Sequence, residues 1–318
     1  YIQRHFQTAT RQWDIYEVFM ERAFQVLREG GSWSFIIPKP FLTNENMEPG
    51  REFLLRNSLL RVVADCGTPF EQADVEAVVV VAQKGEPKPS NAVAVERLGS
   101  LGAKIASSQT PQGIFEQLPF KAFALSVDKA TFSLLQKIRS RSVPLGQLVS
   151  MTRGIEAGKK DKAIAKKRSK RSCKLLRGED VRPYSIQFSG FYVTPDAKDE
   201  AKFKSPGVYE VPEKVLLRRV GADLIAALDT QKHWTLNTLY NLKPKHPVSL
   251  ELLVALLNSR LLNWWFKTSF VFEDVLFPYV RISQAEQIPI RLPPEKEKGA
   301  ELLEKLVHLA QKATTLSV

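Results

Sequence analysis

Apolar residues recur at Ile15, Phe19, Ala23, Val26 and Leu27, a spacing that predicts an amphipathic helix burying that face. Gly30-Gly31 supplies the stop, because glycine accepts the left-handed backbone that ends a helix. Trp33-Ser34-Phe35-Ile36-Ile37 is too short for a helix and rich in strand formers, so a buried strand is expected there. A helix feeding such a strand is half of a crossover unit in a parallel sheet. Pro49 then stands near the first turn of a short helix over 51–57. Leu60 to Asp65 reads as a strand closed by Cys66-Gly67, and the β-branched run Val75 to Val81 as a strand buried on both faces. Residues 85–90 have the composition of a turn, and Ala92 to Glu96 alternates as an edge strand. At the far end, Leu302, Leu303, Leu306 and Leu309 predict a closing helix packed on its own domain. The expected fold class is α/β.

Charge divides the chain where hydropathy does not. Residues 1–125 hold 13 Lys/Arg against 14 Asp/Glu, whereas residues 126–318 hold 33 against 20. The whole excess of +12 therefore lies in the second part, and two domains are expected, 1–125 and 126–318. Within the second, Lys159 to Arg177 carries ten basic residues and one acidic, Asp161. Proteins that neutralise phosphates gather charge in this way, although a basic run is also the composition of a solvated loop. Two cysteines, Cys66 and Cys173, are too few for a disulfide framework and fit a reducing, cytoplasmic setting. The longest apolar runs fall far short of the roughly 20 residues a membrane helix needs, so no membrane partner is expected.

Several apparent motifs lose their meaning on inspection. Gly154 to Lys160 lacks one residue between the glycines, and the hydroxyl after the lysine, that a phosphate-binding loop requires. Pro195-Asp196 followed by Glu200-Ala201-Lys202 mimics a nuclease motif, but three intervening residues are hardly enough for the hairpin that would align them. His5, His233, His246 and His308 show no metal-ligand spacing, so no metal site is expected. Trp264-Trp265-Phe266 on a helical stretch reads as core, with an intercalating wedge as the alternative.

The succession Tyr1-Ile2, Asp14, Tyr16, Gly30-Gly31, Pro38 and Phe41-Leu42 resembles the TaqI-like, gamma-class N6-adenine DNA methyltransferases, including fused restriction–modification enzymes. In that family an Asn-Pro-Pro-Tyr motif is followed by Asp-x-Tyr, a helix ending in Gly-Gly, a strand ending in proline, and Phe-Leu. Tyr1 matches the last letter of the motif. The resemblance implies a C-terminal fragment that starts inside the catalytic motif. The fold it implies is the C-terminal half of a Rossmann-like methyltransferase sheet followed by a mixed α/β target-recognition domain. It further implies that Tyr1 stacks on a flipped target adenine and that Phe70, in Gly67-Thr68-Pro69-Phe70, helps to enclose it. A plug at the sheet edge is the bland alternative for Phe70, and a frayed terminus that for Tyr1, which describes its behaviour in a fragment better. The resemblance also implies S-adenosylmethionine as the donor of the full-length parent. The family's Gly-rich donor loop and its acidic partner precede Asn-Pro-Pro-Tyr and have no match here, so no cofactor is expected to bind this chain, which alone should not methylate.

The second part resembles the family's recognition domain through Val143-Pro144-Leu145-Gly146, Thr152-Arg153-Gly154-Ile155, Leu175-Leu176-Arg177-Gly178-Glu179-Asp180, Lys214 to Arg219, Ala255-Leu256-Leu257-Asn258-Ser259 and Gln287-Ile288-Pro289-Ile290. The resemblance implies sequence-specific binding of double-stranded DNA, and a monomer is expected. Candidate DNA contacts are Arg153, Lys159, Lys160, Arg177, Arg218 and Arg219. Arg153 borders Gly154, where a backbone could approach a phosphate. Arg177 carries planar donors suited to phosphate or guanine, and a structural pair with Glu179 or Asp180 is an equal alternative. Arg218 and Arg219 are expected on a strand, pointing to opposite faces. The competing function is a stand-alone DNA-binding specificity module, against which the sheet-forming residues 1–97 argue.

Overall fold

The computed structural model describes residues 1–71, 73–99, 102–158, 161–195, 203, 206–270, 279–292 and 299–316. Two compact units are present: Tyr1–Gln136 with Thr268–Phe272, and Lys137–Lys267 with Glu273–Val318.

In the first unit a one-turn helix α1 (Ile2–His5) precedes α2 (Ile15–Val26). Asp14 caps α2: its side chain accepts from Ile15 N at 2.6 Å, and the Glu17 carboxylate accepts from Asp14 N at 3.1 Å. The helix does not bury the expected face. Ile15, Phe19 and Val26 are 50, 61 and 69 % exposed, while Glu17, Val18, Met20, Glu21 and Phe24 face the core. The inward face is the more polar because its carboxylates have local partners. Glu21 accepts from Thr8 N at 3.0 Å and Thr8 Oγ1 at 2.9 Å.

Five strands form one sheet: β1 (Ser32–Pro38), β2 (Ser58–Asp65), β3 (Ala77–Lys84), β4 (Ala92–Leu98) and β5 (Lys104–Pro111), in the order β1-β3-β2-β4-β5. Both β1 and β2 run antiparallel to β3, which separates them, so they are parallel to each other without pairing. The chain crosses between them through α3 (Glu48–Asn57). Among the described residues of this sheet, direct parallel pairing is confined to β2–β4. Two expectations are corrected. The valine strand starts at Ala77, with Val75 46 % exposed ahead of it. The edge is β5, not β4: β4 lies between β2 and β5. Six successive residues of β5 are exposed, so it leaves no hydrophobic period.

Arg51, fully buried on α3, fixes the loops around this sheet. Its guanidinium donates to the carbonyls of Phe41 at 2.6 Å, Asn44 at 2.9 Å, Phe120 at 2.7 Å and Lys121 at 3.1 Å. Phe120 and Lys121 hold left-handed φ of 55°. Burial lowers the Arg51 pKa to about 9, which still leaves it charged at neutral pH. The nearby Glu17 carboxyl is raised to about 7, chiefly by burial; its Oε1 lies so close to Gly50 that a Cβ there would stand 2.6 Å away. A raised carboxyl pKa means that the folded state holds a proton the unfolded chain has lost. Stability should therefore fall as pH rises from about 4.5 to about 7, by about 1–3 kcal/mol. Comparing urea midpoints at about pH 5 and about pH 8 checks this: Glu17→Gln should flatten the difference, and an unchanged difference would contradict it.

The second unit holds two four-stranded sheets. One is antiparallel, ordered β14-β13-β16-β7, from β7 (Val149–Arg153), β13 (Lys214–Arg218), β14 (Ala226–Asp229) and β16 (Leu239–Pro244). The other is ordered β15-β9-β12-β8, from β8 (Ile164–Ala165), β9 (Cys173–Leu176), β12 (Tyr192–Val193) and β15 (Trp234–Thr235). Two small ladders complete it: β6 (Val143–Pro144) with β17 (Pro289–Ile290), and β10 (Val181–Arg182) with β11 (Ser185–Ile186). The helix Leu250–Leu257 is buried on most of its surface. Asn258 just after it is tied to β14, accepting from Ala226 N at 3.0 Å and donating to Ala226 O at 2.8 Å. Trp265 and Phe266 are buried, as core residues are. In the closing helix Gly299–Leu316, Leu306 and Leu309 are 42 and 60 % exposed and Ala310 is buried instead. The expected leucine stripe is therefore not its packed face; the side chains of Leu302 and Leu303 lie outside the described residues.

Candidate nucleic-acid interface

The connection from β8 to β9 carries the chain's densest charge. Lys162, Lys166, Lys167, Arg168, Lys170, Arg171 and Lys174 are all exposed. Among the described residues none of these seven is in an ion pair. A turn shapes the segment: Ser172 Oγ donates to Ser169 O at 3.0 Å and accepts from Ser169 N at 2.8 Å. β8 and β9 both pair with β12, so the two ends of the segment are fixed on one sheet. Aromatic rings lie among the cations. Lys166 Nζ stands 5.5 Å from the Phe191 ring centre, the Arg177 guanidinium 4.1 Å from the same ring, and Lys174 Nζ 5.4 Å from Phe188. Phe188 and Phe191 are half-buried. Such a face offers donors and positive charge, with few groups able to repel an anion.

The candidate contacts fall in different places. Lys159 and Lys160 lie outside the described residues. Arg177 is half-buried, pairs with Glu179 and reaches Ser189 Oγ at 3.3 Å. Asp180 does not pair with its guanidinium; it accepts from Arg177 N at 2.7 Å and so shapes the turn. Arg153 is exposed at the end of β7, 3.4 Å from Glu156. Arg218 ends β13 half-buried. Arg219 falls one residue beyond β13, its guanidinium 4.9 Å from the ring centre of Tyr279. Gly154 serves the protein's own backbone: a Cβ there would meet the carbonyl oxygens of Thr235 and Leu236 at 2.3 Å. That close approach, and not one to phosphate, explains the glycine.

In the first unit Tyr1 is 88 % exposed, its ring 4.2 Å from that of His5. Phe70 is 48 % exposed on the segment joining β2 to β3 and does not fill the core. Lys39 anchors the base of that segment, with Nζ 2.8 Å from Glu76 and 3.2 Å from Asp65. Asp65 also accepts from Gly67 N at 3.0 Å. Sequence reasoning missed this cluster, because Lys39 stands between two prolines and its partners are separated from it by a whole strand.

Residues 173–290 match the model of the TaqI-like C-terminal specificity domain, and residues 1–70 match that of the Eco57I restriction-modification methylase. The chain is 25 % identical over 290 residues to a Type II methyltransferase of Thermus thermophilus, covering 89 % of this chain and 63 % of that protein. Among solved structures, the Type IIL restriction-modification enzyme MmeI in complex with DNA aligns with a TM-score of 0.62 and 12 % identity, over 99 % of this chain and 46 % of that one. The DrdV–DNA complex aligns with a TM-score of 0.53 and 8 % identity, over 100 % and 41 %. The chain thus spans less than two thirds of these relatives, and the likeness to the solved structures is one of fold. The resemblance read from the motifs is present at both ends: to restriction-modification methylases in front, to TaqI-like specificity domains behind. The fold is α/β, a five-stranded sheet of the kind found in restriction-modification methyltransferases followed by a mixed α/β unit.

Proposed function

We propose that this chain is part of a site-specific DNA adenine-N6 methyltransferase of a restriction–modification system. Residues 1–125 contribute Tyr1 and Phe70 to the wall that holds the extruded adenine. Residues 126–318 bind duplex DNA and read its sequence. The observation that carries the reading is the exposed basic segment Lys162 to Lys174, whose seven cations form no ion pair among the described residues, beside Phe188 and Phe191 in a unit that matches a specificity domain. The methylase match over residues 1–70 favours an enzyme over a bare specificity module.

S-adenosylmethionine, where such an enzyme binds it, supplies the methyl group. The residues present do not fit that donor. The turn after β1 is Lys39-Pro40 and that after β2 is Cys66-Gly67-Thr68-Pro69, neither of them a Gly-rich loop opening a helix. What these residues do is grip the phosphate backbone and cover an aromatic face of the target base.

Reading base modifications in native DNA from cells that express the gene carrying this chain tests the proposal. N6-methyladenine confined to one sequence motif is the expected result. Methylated cytosine, or no modification at all, would overturn it.

A further inference from the structure

Lys39 follows β1 directly, at the end of the first sheet where β1 and β2 finish and β3 begins. Its backbone N–H donates to Glu76 O at 3.0 Å, which carries the β1–β3 ladder one step past the strands. Its ammonium meets two carboxylates there, Glu76 at 2.8 Å and Asp65 at 3.2 Å. Asp65 is the last residue of β2, and Glu76 is the residue before β3. One cation therefore grips both stems of the segment that carries Phe70. The backbone closes the same base: Cys66 N donates to Ala77 O at 3.0 Å, and Ala77 N to Gly67 O at 2.8 Å. Gly67 turns the chain away with a left-handed φ of 58°, and its N–H donates to the Asp65 carboxylate at 3.0 Å.

A tie between β1 and β3 alone would need only Glu76. The second carboxylate comes from β2 and brings in the other stem. Asp65 is buried and Lys39 nearly so, and charges this well covered are costly unless matched. Burial acts to lower the Lys39 pKa, but Glu76 and Asp65 outweigh it and raise it, so the ammonium stays charged. Phe70 stands between these stems with its ring half in water. A ring on a loose segment would have to be ordered each time it met a base, and that entropy would be taken from the contact. Stems fixed in advance reduce this cost.

We infer that Lys39 is a positioning residue: by holding Asp65 and Glu76 together it sets the segment joining β2 to β3 and presents the Phe70 ring to the extruded base. The inference rests on the reading of Phe70 as part of the base-holding wall and deepens it.

The test is a double-mutant cycle in the whole product of the gene that carries this chain. It is read as the single-turnover methylation rate at saturating duplex, beside duplex affinity and melting temperature. Phe70→Ala should lower the rate about tenfold, the size of one base–aromatic stack. Lys39→Met should lower it about three- to tenfold with duplex affinity unchanged, and Lys39→Arg, which keeps the charge, should restore most of the rate. In the Phe70→Ala background Lys39→Met should cost nothing further, because no ring is left to place. Should Lys39→Met fail to fold, Glu76→Gln, at the more exposed partner, takes its place with a smaller loss and the same dependence on Phe70. A folded variant at wild-type rate, or a loss that persists without Phe70, would overturn the inference and leave the reading of Phe70 standing. A wild-type rate in Phe70→Ala would overturn that reading and the inference with it.

Discussion

Replacing Lys166, Lys167, Arg168, Lys170 and Arg171 together by serine is expected to weaken duplex binding by about 10³–10⁴-fold at about 0.15 M salt. Each is exposed and free of ion pairs among the described residues, so in the protein alone each charge is balanced by mobile counterions. If each meets one phosphate, the five account for a slope of about 4.5, from roughly 0.9 per contact. The effect belongs to binding and not to folding, because exposed side chains free of ion pairs change stability within about 0.5 kcal/mol, and the contact of Lys166 with the Phe191 ring adds about 0.5–1 kcal/mol at most. A melting temperature near the wild-type value, with a flattened salt slope, is the expected pair of readings. A slope changed by less than about 1 would show that this segment is a solvated loop that never meets DNA.

The second large effect lies in the core of the second unit. Lys214 and Asp229 are fully buried. Lys214 Nζ donates to Asp229 Oδ2 at 2.6 Å and to Tyr209 O at 2.8 Å. The other carboxylate oxygen is 2.8 Å from His233 Nδ1 and accepts from Gln231 N at 2.9 Å. Burial pushes the Asp229 pKa up, but the hydrogen bonds from His233 and Lys214 and the Lys214 charge outweigh it and hold the group at about 2. Lys214→Met leaves this carboxylate in the core without its cation, and breaking a buried pair in that way costs about 3–5 kcal/mol. Adding Asp229→Asn to the same variant should recover part of the loss, because the orphaned charge is then gone. The native pair also ties stability to pH. Its contribution is fully present above the unfolded pKa of about 4 and is lost as pH falls towards about 2. Urea unfolding of the single and double variants checks the account, and a single variant as stable as wild type would contradict it.

The strand over Trp33–Ile37 and the short helix over 51–57 were legible, because a run of strand formers after Gly30-Gly31 and a proline near a first helical turn leave few alternatives. The basic segment was legible as composition. The buried face of α2 was not: Ile15, Phe19 and Val26 keep a helical period as good as that of Val18, Met20 and Phe24, and Glu17 and Glu21 count as polar only until their partners Asp14 and Thr8 are seen. β5 escaped because Ser107, Ser108 and Gln109 pair through backbone alone. Lys214 with Asp229, and Arg219 with Tyr279, meet across turns and ladders that no local spacing encodes.

Binding of the unmodified chain to duplex DNA, followed from low to physiological salt, tests the central claim most directly. A reader that covers six or more phosphates should give a slope of log K against log salt of about −5 or steeper. No binding, or an affinity indifferent to salt, would contradict it.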